Sequence, residues 1–338
     1  MITKAPHKFR VAVAQFCFLL SALKQHDCDY LSSFQASVLT NPLYTMQIYQ
    51  PQHLLLKPYV KQIHRFTVTP NGLSSMTAVP TGNVFLSIFW GSGKYVTRGP
   101  SSTERSESGG VFISGQQFEI AHHWVQGGEV NIIGFELTPY AIHQFFGVPQ
   151  HEMTGQVLSL EDIWSNKASV LYQQVVNEPD PAKQLSLVEG FLCERITARE
   201  WKENATIAEA TNLINMSRGN VSIKELAASS RISTRSLERK FLEAVGISPK
   251  AYCKIMQFNY AFKQLALSNK HVLDVVSEAG YYDQPHFINH FRKVFGLSPG
   301  QFFEQQEKFL YEFKKDNDHF VLGSMSETLE TAGKLYVF

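Results

Sequence analysis

Two changes of hydrophobic rhythm divide the chain. Between residues 60 and about 138, short runs rich in β-branched and aromatic residues, at 63–68, 84–90, 110–113 and 131–137, alternate with Gly, Pro and Asn turns. The turns fall at Pro70-Asn71-Gly72, Pro80-Thr81-Gly82-Asn83, Gly91-Ser92-Gly93 and Gln126-Gly127-Gly128. Strand-length runs bounded by such residues predict a small antiparallel sandwich or barrel. After Pro139 the apolar positions take helical spacing, with Leu160, Ile163 and Trp164, then Leu171, Val175 and Val176, then Leu185, Val188, Leu192 and Ile196. This predicts two helices broken at Pro179-Asp180-Pro181, with the charged stretch 199–205 as the linker to the C-terminal third of the chain.

Beyond the linker every signal is helical. Ser222 with Glu225 three residues later forms a capping box that opens a helix over 223–229. Ser233 caps a second helix that stops at Gly246, so only a tight turn separates the two. A longer helix is predicted from 249 to 268, free of internal Gly and Pro. Then the arrangement repeats: a helix from 272, a turn at Gly280, a helix over 284–295, and Gly296 as its stop. The letters repeat as well, since Arg239-Lys240-Phe241 and Gly246-Ile247-Ser248-Pro249 stand fifty positions before Asn289-His290-Phe291 and Gly296-Leu297-Ser298-Pro299. Two helix-turn-helix units joined by one helix are therefore expected.

The residues Glu225-Leu226-Ala227, Ser233, Leu237, Arg239, Phe241, Gly246, Ser248-Pro249, Ala261, Leu265, Gly280-Tyr281, Gln284, Phe287, Phe291-Arg292-Lys293, Gly296 and Ser298-Pro299 carry a resemblance. In that order and spacing they resemble the AraC/XylS family of bacterial transcription regulators, over about 100 residues. The resemblance implies a cytoplasmic regulator that binds double-stranded DNA. Its β-rich N-terminal domain would sense a small-molecule effector or support a homodimer, and RNA polymerase would be a partner if it activates. Gln257, Arg231, Asn289 and Phe302-Phe303 depart from the family's usual residues, so no base preference carries over from relatives.

A helix of about twelve residues fits the major groove, where base edges expose distinct donor and acceptor patterns. In the first reading helix, Leu237 and Phe241 fall on one face and must point inward, leaving Arg235, Ser236, Glu238 and Arg239 outward. Family position makes these the base-contact candidates: Arg suits guanine, and Glu suits the cytosine amino group unless Glu238 simply pairs with a neighbouring Arg. In the second helix Phe287 and Phe291 are the inward pair, and Gln284, His286, Asn289 and His290 are the outward set. Gln and Asn suit adenine, while the histidines equally suit phosphate or solvent. Lys240, Lys250, Arg292 and Lys293 are the phosphate-anchor candidates.

Composition narrows the reading in three ways. The chain of 338 residues carries a net charge of only +1, yet the segment 205–315 holds fifteen Lys/Arg against ten Asp/Glu. Positive charge is thus concentrated where a polyanion would bind. The four cysteines, Cys17, Cys28, Cys193 and Cys253, match no disulfide or zinc spacing, which fits a reducing compartment. Lys4, Lys8 and Arg10 before the apolar run 11–23 imitate a signal peptide, but Gln15 interrupts the run, and ~18 uninterrupted apolar residues would be needed to span a bilayer. A packed helix and a natural start at Met46 both remain open.

The expected architecture is an α+β multidomain chain. Residues 1–45 form an extension, 46–200 a β-rich, cupin-like regulatory domain ending in helices, 205–315 the all-α tandem reader, and 316–338 a tail with no sustained period. The rival reading is a cupin-like metal-dependent enzyme fused to a reader, suggested by His122, His123 and Glu129. Adjacent strand residues point to opposite faces, so His122 and His123 cannot both ligate one metal without a bulge. No catalytic residues, metal site or cofactor is expected. The stripe Leu185, Val188, Leu192 and Ile196 serves either a dimer or the packing of its own domain.

Overall fold

The computed structural model describes residues 37–41, 44–68, 76–78, 80–98, 104–118, 121–197, 205–267, 271–302 and 335–336. The linker 199–205 lies outside them except for Ala205, as do the run 11–23 and most of the tail. Ten strands come first: β1 (Ser37–Asn41), β2 (Tyr44–Tyr49), β3 (Val60–Val68), β4 (Met76–Ala78), β5 (Val84–Gly91), β6 (Lys94–Arg98), β7 (Glu104–Glu107), β8 (Gly110–Ser114), β9 (Ala121–Gln126) and β10 (Val130–Leu137). They are followed by α1 (Ala141–Phe146), a 3₁₀ turn (Gln150–Met153), β11 (Val157–Ser159), α2 (Glu161–Asn177) and α3 (Pro181–Thr197). The reader comprises α4 (Ala205–Met216), α5 (Ile223–Ser229), α6 (Thr234–Val245), α7 (Pro249–Leu267), α8 (Val272–Glu278) and α9 (Gln284–Phe295). A short β12 (Leu335–Tyr336) closes the described chain.

The strands form two sheets, ordered β1-β2-β3-β10-β5-β8-β11 and β12-β4-β9-β6-β7. β10 is central, antiparallel to both β3 and β5. Its alternating side chains face two different environments, as a strand's period of two requires. Ile133, Phe135 and Leu137 join Ile63, Leu86 and Ile88 in a core roofed by α1, α2 and α3. Val130 and Ile132 turn the other way, toward Phe89 and Phe112, and Tyr95 and Val125 of the second sheet cover them. Phe89 and Phe112 stack with ring centroids 4.5 Å apart.

The expected strands are present, and the sheet extends further toward the N-terminus than the turn signals suggested. Met46 stands inside β2 with its Cα opposite Phe66, and β1 pairs along the whole of β2. Leu185, Val188 and Leu192 are buried against the sheet, so that stripe packs its own domain. His123 approaches Thr97 at 3.2 Å through Nδ1 and stacks on Tyr95. Among the described residues no three His, Cys, Asp or Glu cluster to hold a metal ion, and no helix is long and apolar enough to cross a membrane.

The central strand β10 also carries a buried carboxylate. Glu136 is 4% exposed; it accepts from Gln62 Nε2 at 2.6 Å and from the Asn83 side-chain amide, and His64 Nε2 lies 3.8 Å away. Burial opposes its charge, but the nearby His64, Lys61 and Gln62 outweigh burial and hold it below the usual carboxylate range.

Candidate nucleic-acid interface

The two helix-turn-helix units have separate cores threaded on one helix. Tyr252, Cys253 and Ile255 of α7 belong to the first core, with Ile214, Leu226, Leu237 and Phe241. Phe258, Ala261 and Phe262, one or two turns further on, belong to the second, with Val275, Phe287, Phe291 and Phe295. Each fully buried Leu or Phe of this kind contributes ~1.5–3 kcal/mol by leaving water.

Local chemistry sets the ends of each helix. Ser222 accepts from Glu225 N at 3.1 Å, and the Glu225 carboxylate accepts from Ser222 N at 2.8 Å, completing the capping box that opens α5. The same two bonds, the backbone one foremost, lower the Glu225 pKa. Ser233 caps α6 by accepting from Ser236 N, and Asp283 caps α9 by accepting from His286 N at 2.7 Å. Gly246 and Gly296 end these helices at φ of 88° and 74°, a left-handed conformation that a Cβ would strain.

On α6, Leu237 and Phe241 are fully buried as the spacing predicted. Arg235, Glu238 and Arg239 are exposed and Ser236 half-buried; with Ser233, Leu242 and Ser248 they line one shallow open groove. Among the described residues no ion pair engages Glu238, so the pairing alternative is not realised in the unbound chain. Leu242, 43% exposed, stands four positions after Glu238 and three after Arg239, so the same spacing places this leucine with the outward set.

On α9, Phe287 and Phe291 are the buried pair, His286 and Asn289 are exposed, and Gln284 is half-buried. His290 departs from the expected outward position. It is half-buried, its Nδ1 lies 2.8 Å from Tyr281 Oη, and its ring lies 5.0 Å from that of Phe258. Burial, and then the neighbouring Lys254, His286 and Lys293, push its pKa down to about 4. A neutral ring held against the core brings no positive charge to a phosphate at neutral pH. Lys250, Arg292 and Lys293 are exposed and Lys240 half-buried, which leaves the cationic ends of the exposed three accessible to a backbone.

The two turns are not identical. After the left-handed residue, Arg231 at φ 53° in the first unit and Gly280 at φ 75° in the second, one residue precedes the cap in the first and two in the second. The added residue, Tyr282, is 93% exposed beside the N-terminus of α9.

Parts of the chain are similar to known proteins. Residues 226–305 match the model of a helix-turn-helix domain, and residues 47–159 match that of a domain of unknown function. A transcriptional activator, NphR from Rhodococcus sp, is 28% identical over 115 residues, 34% of this chain and 34% of that protein. The transcriptional activator RhaS of Klebsiella pneumoniae is 32% identical over 76 residues, 22% of this chain and 27% of that protein. The matched part thus spans about a third or less of these relatives' length. A crystal structure of ToxT from Vibrio cholerae aligns over 77% of this chain and 97% of its own, with 10% identity and a TM-score of 0.41. Two helix-turn-helix units on one connecting helix define a class of tandem readers. In this C-terminal part the chain is similar to regulators of the AraC/XylS type.

Proposed function

We propose that the protein is a sequence-specific, DNA-binding transcription regulator that lays α6 and α9 into successive major grooves. The observation that carries this reading is the pair of reading helices, each with two inward aromatic or aliphatic anchors and an outward polar face, mounted on the single helix α7. Arg235, Ser236, Glu238 and Arg239 read bases in one groove; Gln284, His286 and Asn289 read the next. Lys240, Lys250, Arg292 and Lys293 hold phosphates. The β domain regulates the reader in response to a small-molecule effector, and the protein acts in the cytoplasm without catalysing a reaction. RNA polymerase and a second copy of the chain are the partners this role would use.

Sequencing of DNA fragments retained by the purified chain tests the reading: one recurring motif with two half-sites is expected. Raising salt from 50 to 200 mM should weaken binding to it on the order of 10³-fold if about six phosphates are contacted. Retention of all fragments alike, or a flat salt response, would overturn it.

A further inference from the structure

The connecting helix is not the sole link between the readers. The loop after α4 belongs to the first unit, and Arg218 in it adopts φ 56°. A residue with a Cβ enters that region at a cost, and here the conformation aims the guanidinium across α7. Arg218 Nη1 donates to Tyr260 Oη at 2.7 Å, and its guanidinium lies 4.3 Å from the centroid of the Tyr260 ring. Tyr260 stands on the half of α7 that packs with the second core. Its hydroxyl in turn donates to Glu278 Oε2 at 2.9 Å, at the end of α8. One phenol therefore takes a proton donor from the first unit and gives one to the second.

The backbone follows the same route. Gly219, next to Arg218, lies so close to α7 that an added Cβ would stand 2.1 Å from the Cys253 carbonyl oxygen. Gly280, in the turn of the second unit, sits against Asn220 of the first, where a Cβ would be 3.1 Å from Asn220 Cγ and Oδ1. The two units thus touch beside α7 as well as being joined through it.

We propose that Arg218, Tyr260 and Glu278 are positioning residues that fix the relative orientation of the two readers and so set the half-site spacing the protein accepts. A long helix curves rather than staying straight, and curvature of α7 would change the angle between the two readers. A brace across its side, at the boundary between the two cores, opposes that change. None of the three side chains lies on a reading face, so each acts through α6 and α9 rather than on bases.

This inference rests on the DNA-binding reading, and the test separates the two. Affinity of the full chain is measured on its selected DNA site and on versions with one base pair added or removed between half-sites. In the unaltered chain each change should lower affinity at least tenfold. Tyr260→Phe keeps the ring and loses both hydroxyl bonds; its penalty should shrink to threefold or less, while affinity at the natural spacing changes less than threefold. Arg218→Gly removes the guanidinium at a backbone position that glycine adopts freely, so it should widen spacing tolerance with thermal stability kept or raised. A merely structural role predicts the reverse, lost stability with unchanged spacing preference. Spacing profiles of both variants identical to the unaltered chain would overturn the proposal. Failure of the unaltered chain to bind any DNA would instead sink the regulator reading. The brace is then judged by amide exchange at Gly280 and Tyr281, and unchanged exchange in Tyr260→Phe overturns it.

Discussion

Gln150 and Ala244 join the two domains: the fully buried Gln150 carboxamide donates both to the Pro139 carbonyl, at 2.6 Å, and to the carbonyl of Ala244 in the last turn of the first reading helix. Thr154 adds a hydroxyl bond to the Gly246 carbonyl at 2.7 Å. On the other side of this junction Gly82 lies against α7, so close that a Cβ would meet Met256 and Tyr252. The β domain therefore grips the first reader by its C-terminal end, leaving the groove lined by Arg235, Glu238 and Arg239 uncovered. These contacts couple the β domain mechanically to the C-terminal end of α6.

Gln150→Leu should expose the value of that grip. It fills the same space but leaves two buried carbonyls without their donor, a cost of ~1–3 kcal/mol in chemical denaturation of the full chain. Unchanged stability would mean that the domains do not hold each other in solution through this side chain.

Reading and scaffolding residues on α6 should separate cleanly. Arg239→Ala removes an exposed side chain, so stability should hold while affinity for the preferred site falls by ~1–3 kcal/mol and one base position relaxes. Equal loss on all sequences would reassign Arg239 to the phosphate backbone. Phe241→Ala or Phe291→Ala deletes a fully buried ring and should cost ~3–5 kcal/mol of local stability, measured by amide exchange in the unit that carries it.

The second reader should weaken in acid before the first. His290 has its pKa lowered in the fold, so the folded state prefers the neutral ring. The associated stability is fully present above the unfolded value near 6.5 and is lost as pH falls toward about 4. Discounted for the partial exposure of the ring, the loss is roughly 1–2 kcal/mol. Amide exchange in α9, corrected for its intrinsic pH dependence, should report it, and the pH slope should vanish in His290→Asn. Equal acid sensitivity of α6 and α9 would assign the effect elsewhere.

Helix ends were legible in the reader because caps are local chemistry: Ser222 with Glu225, Ser233, Gly246 and Gly296 all stand where their letters placed them. The inward positions of Leu237, Phe241, Phe287 and Phe291 came from i, i+4 spacing alone. The features that escaped reading depend on distant chain. His290 lies one position before the buried Phe291, and only the phenol of Tyr281 and the ring of Phe258 decide that it turns inward. Glu136 sits in a strand that reads as apolar, and its partners Gln62, His64 and Asn83 come from two separate segments. The strands β1 and β2 lie before residue 60, where the strand-like rhythm becomes regular, and Asn41-Pro42 is the turn signal between them.

The tandem geometry makes the last prediction. Helix α7 runs from Pro249 to Leu267 without internal Gly or Pro, and at 1.5 Å per residue it spans roughly 30 Å, close to the ~34 Å between successive major-groove faces. With the Arg218–Tyr260–Glu278 brace beside it, the pair of readers should fit adjacent turns of one DNA face and no other arrangement. The segment 204–315 contains both cores and the strut, so it should fold and bind by itself. Inserting five base pairs between the half-sites turns one of them to the opposite face, and binding by the segment should fail. Inserting ten restores the face but adds a full turn of length, which a rigid strut cannot reach, so binding should fail again. A flexible tether would recover most affinity at ten. Footprinting the segment on the three spacings decides between these, and protection of both half-sites at ten would show that the readers move independently.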